Sequence, residues 1–255
     1  LILPSSAEDW GGPHPWDIDF TSSEQPVKLE EDLRAELDTS LNTAKIKLAY
    51  TGIQLKLQSV KQLPKATGFP DDFTFPALKL KIGFAQVSSN SQIKKLNEKQ
   101  SANTIDIDIS FKEEIYTSGN LNLKDVCIRA KSYSSNEVIA EKLRALLQQV
   151  SRLDRTKNRR QDIYDVSYLI EHQEPSDEDK RIILETLMNK CETHNVPLSE
   201  ESFDSEELKL ASGKGWEILA MEISGHIPNF EDRYRIVKEF FKSLPWEISN
   251  RWIFE

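Results

Sequence analysis

Cysteine is nearly absent. Only Cys127 and Cys191 occur in 255 residues, and no CxxC pair exists. A disulfide scaffold and a structural zinc site are therefore not expected, and a reducing cytosol fits. The 4 histidines, His14, His172, His194 and His226, show no metal-ligand spacing, so surface or capping roles are expected for them. No window approaches the about 18 uninterrupted apolar residues of a membrane-spanning helix. Basic residues are in deficit: 33 Lys and Arg against 42 Asp and Glu give a net charge of −9. That balance speaks against a general nucleic-acid coat but leaves room for a local basic groove. There is no internal repeat and no low-complexity tract. The chain opens on Leu1-Ile2-Leu3 without Met, and neither a basic n-region nor a cleavage signature follows. The expectation is a fragment whose upstream residues are missing, not a signal peptide.

A hydrophobic fraction of 38% and a charged fraction of 29% describe a globular chain of one or two domains. Residues 1–16 read as loop, with Gly11, Gly12, Pro13 and Pro15 close together. Leu29, Leu33, Leu37 and Leu41 recur at i+4 and predict an amphipathic helix. Ile46, Leu48 and Tyr50 alternate with polar or small neighbours. So do Ile53, Leu55 and Leu57, then Leu78, Leu80, Ile82 and Phe84, and then Ile105, Ile107 and Ile109; each set predicts a half-buried strand, several of them in hairpins. A last strand is expected over Val126 to Ala130. After Lys131 the pattern turns helical. Ser134-Ser135-Asn136-Glu137 matches a capping box ahead of a helix that reaches about Val150. A basic stretch from Arg152 to Arg160 precedes a helix carrying Ile163, Val166, Leu169 and Ile170. Glu174-Pro175-Ser176 ends that helix and caps the next, which holds Ile182, Ile183, Leu187 and Cys191. Two further helical segments lie near 205–222 and 230–243. The segregation of strands from helices predicts an α+β fold, with domains at 1–131 and 132–255.

The strongest chemical signal is Asp17-Ile18-Asp19 together with Asp106-Ile107-Asp108. Residues i and i+2 of a strand share a face, so each pair sets two carboxylates side by side, about 7 Å apart at Cα. Hard divalent cations such as Mg²⁺ take carboxylate oxygens and substrate phosphates. Two such ions can activate an attacking oxygen and stabilise a leaving one. The plain alternative is aspartates facing solvent on a one-sided sheet. Asp is, however, poorly suited to strands, and here it alternates strictly with large apolar anchors. A second constellation is Glu141-Lys142, followed by Asp162 and Asp165 on the next predicted helix. A lysine bordering the buried stripe could reach a triphosphate. Its plain alternative is a snorkelling lysine paired with an acid. The Arg152 to Arg160 run reads equally as a contact to RNA phosphates or as a solvated linker. Ser212-Gly213-Lys214-Gly215 lacks phosphate-loop spacing and reads as a helix interruption. Trp216, Trp246 and Trp252 are expected in the helical core.

Taken in order, Asp17-Ile18-Asp19-Phe20-Thr21, Ile107-Asp108-Ile109-Ser110-Phe111, Ala140-Glu141-Lys142-Leu143-Arg144-Ala145-Leu146 and Asp162-Ile163-Tyr164-Asp165-Val166 resemble the AbiEii/AbiGii-type nucleotidyltransferases. These are toxins of bacterial abortive-infection and toxin–antitoxin systems. The resemblance implies a polymerase-beta-like nucleotidyltransferase domain with a mixed sheet and flanking helices, its N-terminal part missing, followed by an all-helical domain. It implies that Asp17 and Asp19 are the metal-binding DxD. Asp108 rather than Asp106 matches the third carboxylate, since the family strand reads hydrophobic-Asp-hydrophobic ahead of a Ser-Phe or similar pair. Lys142 and Asp162 match the nucleotide-binding motif of the helical domain. The implied chemistry is Mg²⁺- or Mn²⁺-dependent transfer of a nucleotide from an NTP to an acceptor hydroxyl on tRNA, another RNA or a protein. The implied setting is the cytoplasm, with a cognate antitoxin. Two other readings stay open. A non-catalytic binding or regulatory protein retaining this fold is favoured by the lack of a Gly-Gly-Ser/Thr turn before Asp17 and by Gln161, where the family has a basic residue. A metal-dependent nuclease ranks last, because no Glu-x-Lys pattern accompanies the acidic strand.

Overall fold

The structure is a computed structural model that describes residues 17–22, 30–63, 76–111, 114–123, 128–151, 159–221, 223 and 226–247. They form two compact units. The first contains β1 (Asp17–Ser22), α1 (Glu30–Lys47), β2 (Ile53–Leu63), β3 (Ala77–Gln86), α2 (Asn90–Asn97) and β4 (Thr104–Phe111). The strands make one mixed sheet in the order β1-β4-β3-β2. β1 runs parallel to β4, and the other two pairings are antiparallel.

Strict apolar alternation gives this sheet its two faces. Leu57, Leu78, Leu80, Ile82 and Phe111 are buried on one of them, with Leu37 and Leu41 of α1 packed against them alongside Ile107 and Ile109. Leu57 is fully buried, which contributes about 1.5–3 kcal/mol relative to exposure. The register of β2 on β3 shifts between Leu57 and Ser59, so Gln58 is the extra residue of a bulge. The bulge changes the phase of β2 and lets Leu57 and Val60 reach the same core. Helix α1 satisfies the backbone there. Leu57 N–H donates to Asp38 Oδ1 (2.8 Å), and Arg34 Nη1 donates to Leu57 O (3.3 Å).

The opposite face is charged, and α2 covers one end of it. A Cβ on Gly83 would lie 2.7 Å from the Gln58 side chain and 2.8 Å from Leu96 of α2. Glycine is therefore what admits the helix. The buried Gln58 amide holds it in place, donating to Leu96 O and accepting from Ser101 N–H.

The second unit takes Tyr116–Asn122 and the chain from Arg129 onward. It holds most of a two-stranded sheet, β5 (Ser118–Leu123) with β6 (Ile128–Tyr133). Its helices are α3 (Ser135–Ser151), α4 (Arg160–Gln173), α5 (Asp177–Thr193), α6 (Glu206–Gly213) and α7 (Phe230–Lys242). Helix α3 packs on α4, α5 and α6. Ile139, Leu143, Leu146, Ile163, Val166, Ile183 and Leu187 lie in the core, with Phe203, Phe241 and Trp246. Ser176 opens α5 with a complete capping box: its hydroxyl accepts from Asp179 N–H, and Asp179 accepts from Ser176 N–H. The 212–215 segment does interrupt a helix, with α6 ending at Gly213 and Gly215 at φ 71° leading into a 3-10 turn over Trp216–Met221.

Two local expectations need correction. Ile46, Leu48 and Tyr50 are not a strand. α1 continues to Lys47, and Ala49 at φ 55° terminates it in the left-handed region, with Tyr50 N–H bonded to Lys45 O. Ile46 and Tyr50 are exposed, so their alternation reflected no buried face. The capping box at Ser134 is only half formed. Glu137 N–H donates to Ser134 Oγ (3.1 Å), but the Glu137 carboxylate is engaged elsewhere. The α2 helix and the β5 strand had no counterpart in the sequence reading.

Candidate active site

β1 and β4 carry aspartate at every second position, and their parallel register aligns those positions. Asp17 stands across from Asp106, and Asp19 across from Asp108. Between them Ile18 stands across from Ile107, whose side chain joins the core under α1. Ile107 thus holds β4 against the hydrophobic layer, half-buried Ile18 stands beside it, and the aspartate positions alternate onto the other, open face. Asp19 is exposed, and the Asp106 and Asp108 side chains are 45% and 41% exposed. The Asp17 side chain lies outside the description, although its backbone register is clear. Adjacent strands are about 4.8 Å apart, so residues far apart in sequence become immediate neighbours.

Like charges directly opposite each other in a sheet are destabilising. This sheet has two such acidic pairs side by side. Relief comes from β3, where Lys81 is registered with Asp106 and Lys79 with Asp108. Lys81 Nζ lies 2.9 Å from Asp106 Oδ1, and Lys79 Nζ pairs with Asp108 Oδ2. The sequence reading missed both lysines. Their signal was the alternation Leu78-Lys79-Leu80-Lys81-Ile82, the cationic counterpart of the acidic strands.

The acidic positions suit a hard divalent cation by donor chemistry, since carboxylate oxygens are what Mg²⁺ prefers. Asp19 and Asp108 present such oxygens from neighbouring strands of a rigid sheet. Among the described residues no group of three or more His, Cys, Asp or Glu side chains is gathered closely enough to hold a metal ion by itself. A third donor would have to come from Asp17 or from substrate.

The helical unit holds the other residues singled out from sequence. Lys142 on α3 lies between two carboxylates of α4, with Nζ 2.9 Å from Asp162 Oδ1 and 2.7 Å from Asp165 Oδ2. Arg159 Nη1 donates to the other oxygen of Asp162 at 3.2 Å. Arg159 thereby supplies the basic partner that Gln161, which is exposed, does not. Burial works against the charge on Lys142, but the two carboxylates outweigh it and hold its pKa above that of an ordinary lysine. For Asp165, burial and the neighbouring Asp162 raise the pKa despite Lys142. Two cations and two anions form a nearly neutral, mutually oriented cluster.

Glu141 turns away from its neighbour Lys142, because successive helix residues do not share a face. It joins a separate network with Arg144 and Lys190. Burial would raise its pKa, but Arg144, Lys190 and His194 hold it below the usual value of 4.5. In the same network Glu137 is fully buried. Its Oε1 lies 2.9 Å from Lys190 Nζ, and its Oε2 accepts from Thr117 N–H (2.9 Å). This second charged cluster is structural, and it explains why Glu137 does not complete the cap at Ser134.

The remaining candidates are quiet. His172 Nδ1 contacts Tyr168 O, and His194 sits at the end of α5. The buried Cys191 thiol is pushed up to about 12 by its burial, so it is inert near neutrality. Trp216 and Trp246 are buried, as expected of core residues. Gly11, Gly12, His14, Cys127, Trp252 and the Arg152 to Lys157 part of the basic run lie outside the described residues. Among the described residues no helix is long and apolar enough to cross a membrane.

Comparison with protein families finds a match over residues 16–239 to the family described as nucleotidyl transferase AbiEii toxin, type IV TA system. Comparison with curated proteins finds no match.

Proposed function

Since this chain belongs to the AbiEii nucleotidyl transferase toxins of type IV toxin–antitoxin systems, we propose that it transfers a nucleotide from an NTP to an acceptor hydroxyl on RNA, with tRNA ends as the first candidate. The hydroxyl oxygen bonds to the α-phosphorus as the bond to the β-phosphate breaks and pyrophosphate leaves. The observation that carries this reading is the register of Asp17 and Asp19 against Asp106 and Asp108 on one open sheet face. Asp17, Asp19 and Asp108 are the proposed holders of the divalent metal, Mg²⁺ or Mn²⁺. When bound, the metal would neutralise phosphate oxygens and lower the pKa of the attacking hydroxyl. The chain's own part is positional. Two hydrogen-bonded strands, with Ile107 packed in the core, fix the backbone positions of the carboxylates, and such preorganisation is the main protein contribution in phosphoryl transfer. Lys142, oriented by Asp162 and Asp165, is the proposed nucleotide-binding cation. Asp162 serves it from one side while taking Arg159 on its other oxygen. A toxin of this kind works against a cognate antitoxin, and its substrates assign it to the cytoplasm.

The test is incorporation of each labelled NTP into total tRNA by the full chain, with folding checked by circular dichroism. Asp19→Asn and Asp108→Asn should each lower incorporation by at least about a hundredfold, as expected for loss of a group that stabilises transition-state charge. Asp106→Asn should cost less than about tenfold, because Asp106 is assigned no metal. Full activity in Asp108→Asn would remove the assignment.

A further inference from the structure

The charged face of the sheet contains more than its carboxylates. Read across β1, β4, β3 and β2, one row runs Asp19, Asp108, Lys79, Lys61 and the next runs Asp17, Asp106, Lys81, Ser59. Acids occupy one half of the face and lysines the other. Lys79 and Lys81 have exposed side chains, each 44% accessible, and each is tied to an aspartate. Lys61 is exposed, and its registered neighbour on β3 is Lys79, another cation. A lysine directly opposite a lysine is unfavourable in a sheet. Packing does not demand it, since the apolar cluster of β2 and β3 lies on the other face and α2 covers the charged face only at the Gly83 end. The acidic pairs, relieved only by the lysines of β3, and the Lys61–Lys79 pair serve no packing, and such violations concentrate at functional sites.

We propose that Lys61, Lys79 and Lys81 form a phosphate-binding half-face that receives the triphosphate of the incoming nucleotide beside the carboxylates. It rests on the transferase reading above. In the unliganded protein Asp108 and Asp106 hold Lys79 and Lys81 in reserve. Neutralising the carboxylate half releases those lysines toward phosphate oxygens, while Lys61 supplies a cation throughout. Cation and polyanion then bind opposite halves of the same face, each removing the repulsion that the other half retains. Lysine suits this use because it reaches phosphate as a flexible point charge.

The experiment is calorimetric titration of the full chain with inorganic triphosphate and no divalent ion. Lys61→Met and Lys79→Met should each bind triphosphate about five- to tenfold more weakly than wild type. Asp108→Asn, which frees Lys79, should bind it more tightly. Lys94→Met on α2 removes the same charge from another part of the surface and should change nothing. Wild-type affinity in both sheet variants overturns the proposal, as does absence of triphosphate binding by both the wild type and Asp108→Asn, in which Lys79 is no longer held. It is equally overturned if only a short single-stranded RNA, and not triphosphate, loses affinity, since the stripe would then follow the acceptor. A parallel Mn²⁺ titration separates the two readings. Unchanged Mn²⁺ affinity in Asp108→Asn would strike the metal assignment while leaving the triphosphate result standing.

Discussion

Lys190→Met isolates a deeply buried ion pair of the helical unit. The Lys190 side chain is 8% exposed and faces Glu137, which is fully buried, with Glu141 3.4 Å away on the same helix. Methionine fills nearly the same volume, so the packing of α5 on α3 is retained and the change is electrostatic. Glu137 would keep its bonds to the Thr117 N–H and hydroxyl, but its Oε1 would face no cation. Removing one partner of a buried pair costs about 3–5 kcal/mol, far more than the pair contributes relative to an apolar replacement. Glu141 retains Arg144 and adds little to the loss. Urea unfolding followed by helical ellipticity should therefore show a midpoint shift corresponding to about 3–5 kcal/mol. Amide exchange should assign the loss to α3 and α5. The double variant Glu137→Gln, Lys190→Met should recover most of that stability, because no charge is then left alone. The reasoning is refuted if Lys190→Met lies within about 0.5 kcal/mol of wild type, or if the double variant is no better than the single. The consequence reaches the proposed nucleotide-binding cluster, since α3 also carries Lys142.

Gly83→Ala should destabilise the sheet unit by about 1–3 kcal/mol, because the added methyl meets the buried Gln58 and Leu96 side chains at under 3 Å; thermal unfolding reads this, and a neutral result would show that α2 can shift freely. Glu141→Gln should flatten the acid limb of the stability curve. In the wild type the folded carboxyl binds a proton less readily than the unfolded one, so its contribution is present above the ordinary value of 4.5 and is lost as pH falls through the lowered folded pKa. Urea midpoints between pH 6 and roughly pH 3 compare the two proteins, and parallel curves would count against the Arg144 and Lys190 contacts as the cause.

Local periodicity made much of the molecule legible. Alternating apolar residues marked β2, β3 and β4, and i+4 leucines marked α1, because each pattern is written within a single element. The same alternation misled at Ile46, Leu48 and Tyr50, where the end of a helix happened to space its apolar residues by two. α2 was missed because Asn90–Asn97 offers only Ile93 and Leu96 as apolar residues, and its helical state depends on the Gln58 contact and the gap above Gly83. β5, Ser-Gly-Asn-Leu-Asn-Leu, has low strand propensity and forms only against β6.

The candidate site divides along the same line. That Asp17 and Asp19 share one face, and Asp106 and Asp108 another, followed from the two-residue repeat of a strand. The pairing of those faces in parallel register was decided by hydrogen bonding between β1 and β4, some ninety residues apart, and the setting of Lys79 and Lys81 beside Asp108 and Asp106, with Lys61 beyond, by the pairing of β3 with β4 and β2. A strand's own residues determine which way each side chain points. Which strand lies next to it depends on the closure of a shared core under α1, and no single segment encodes that closure.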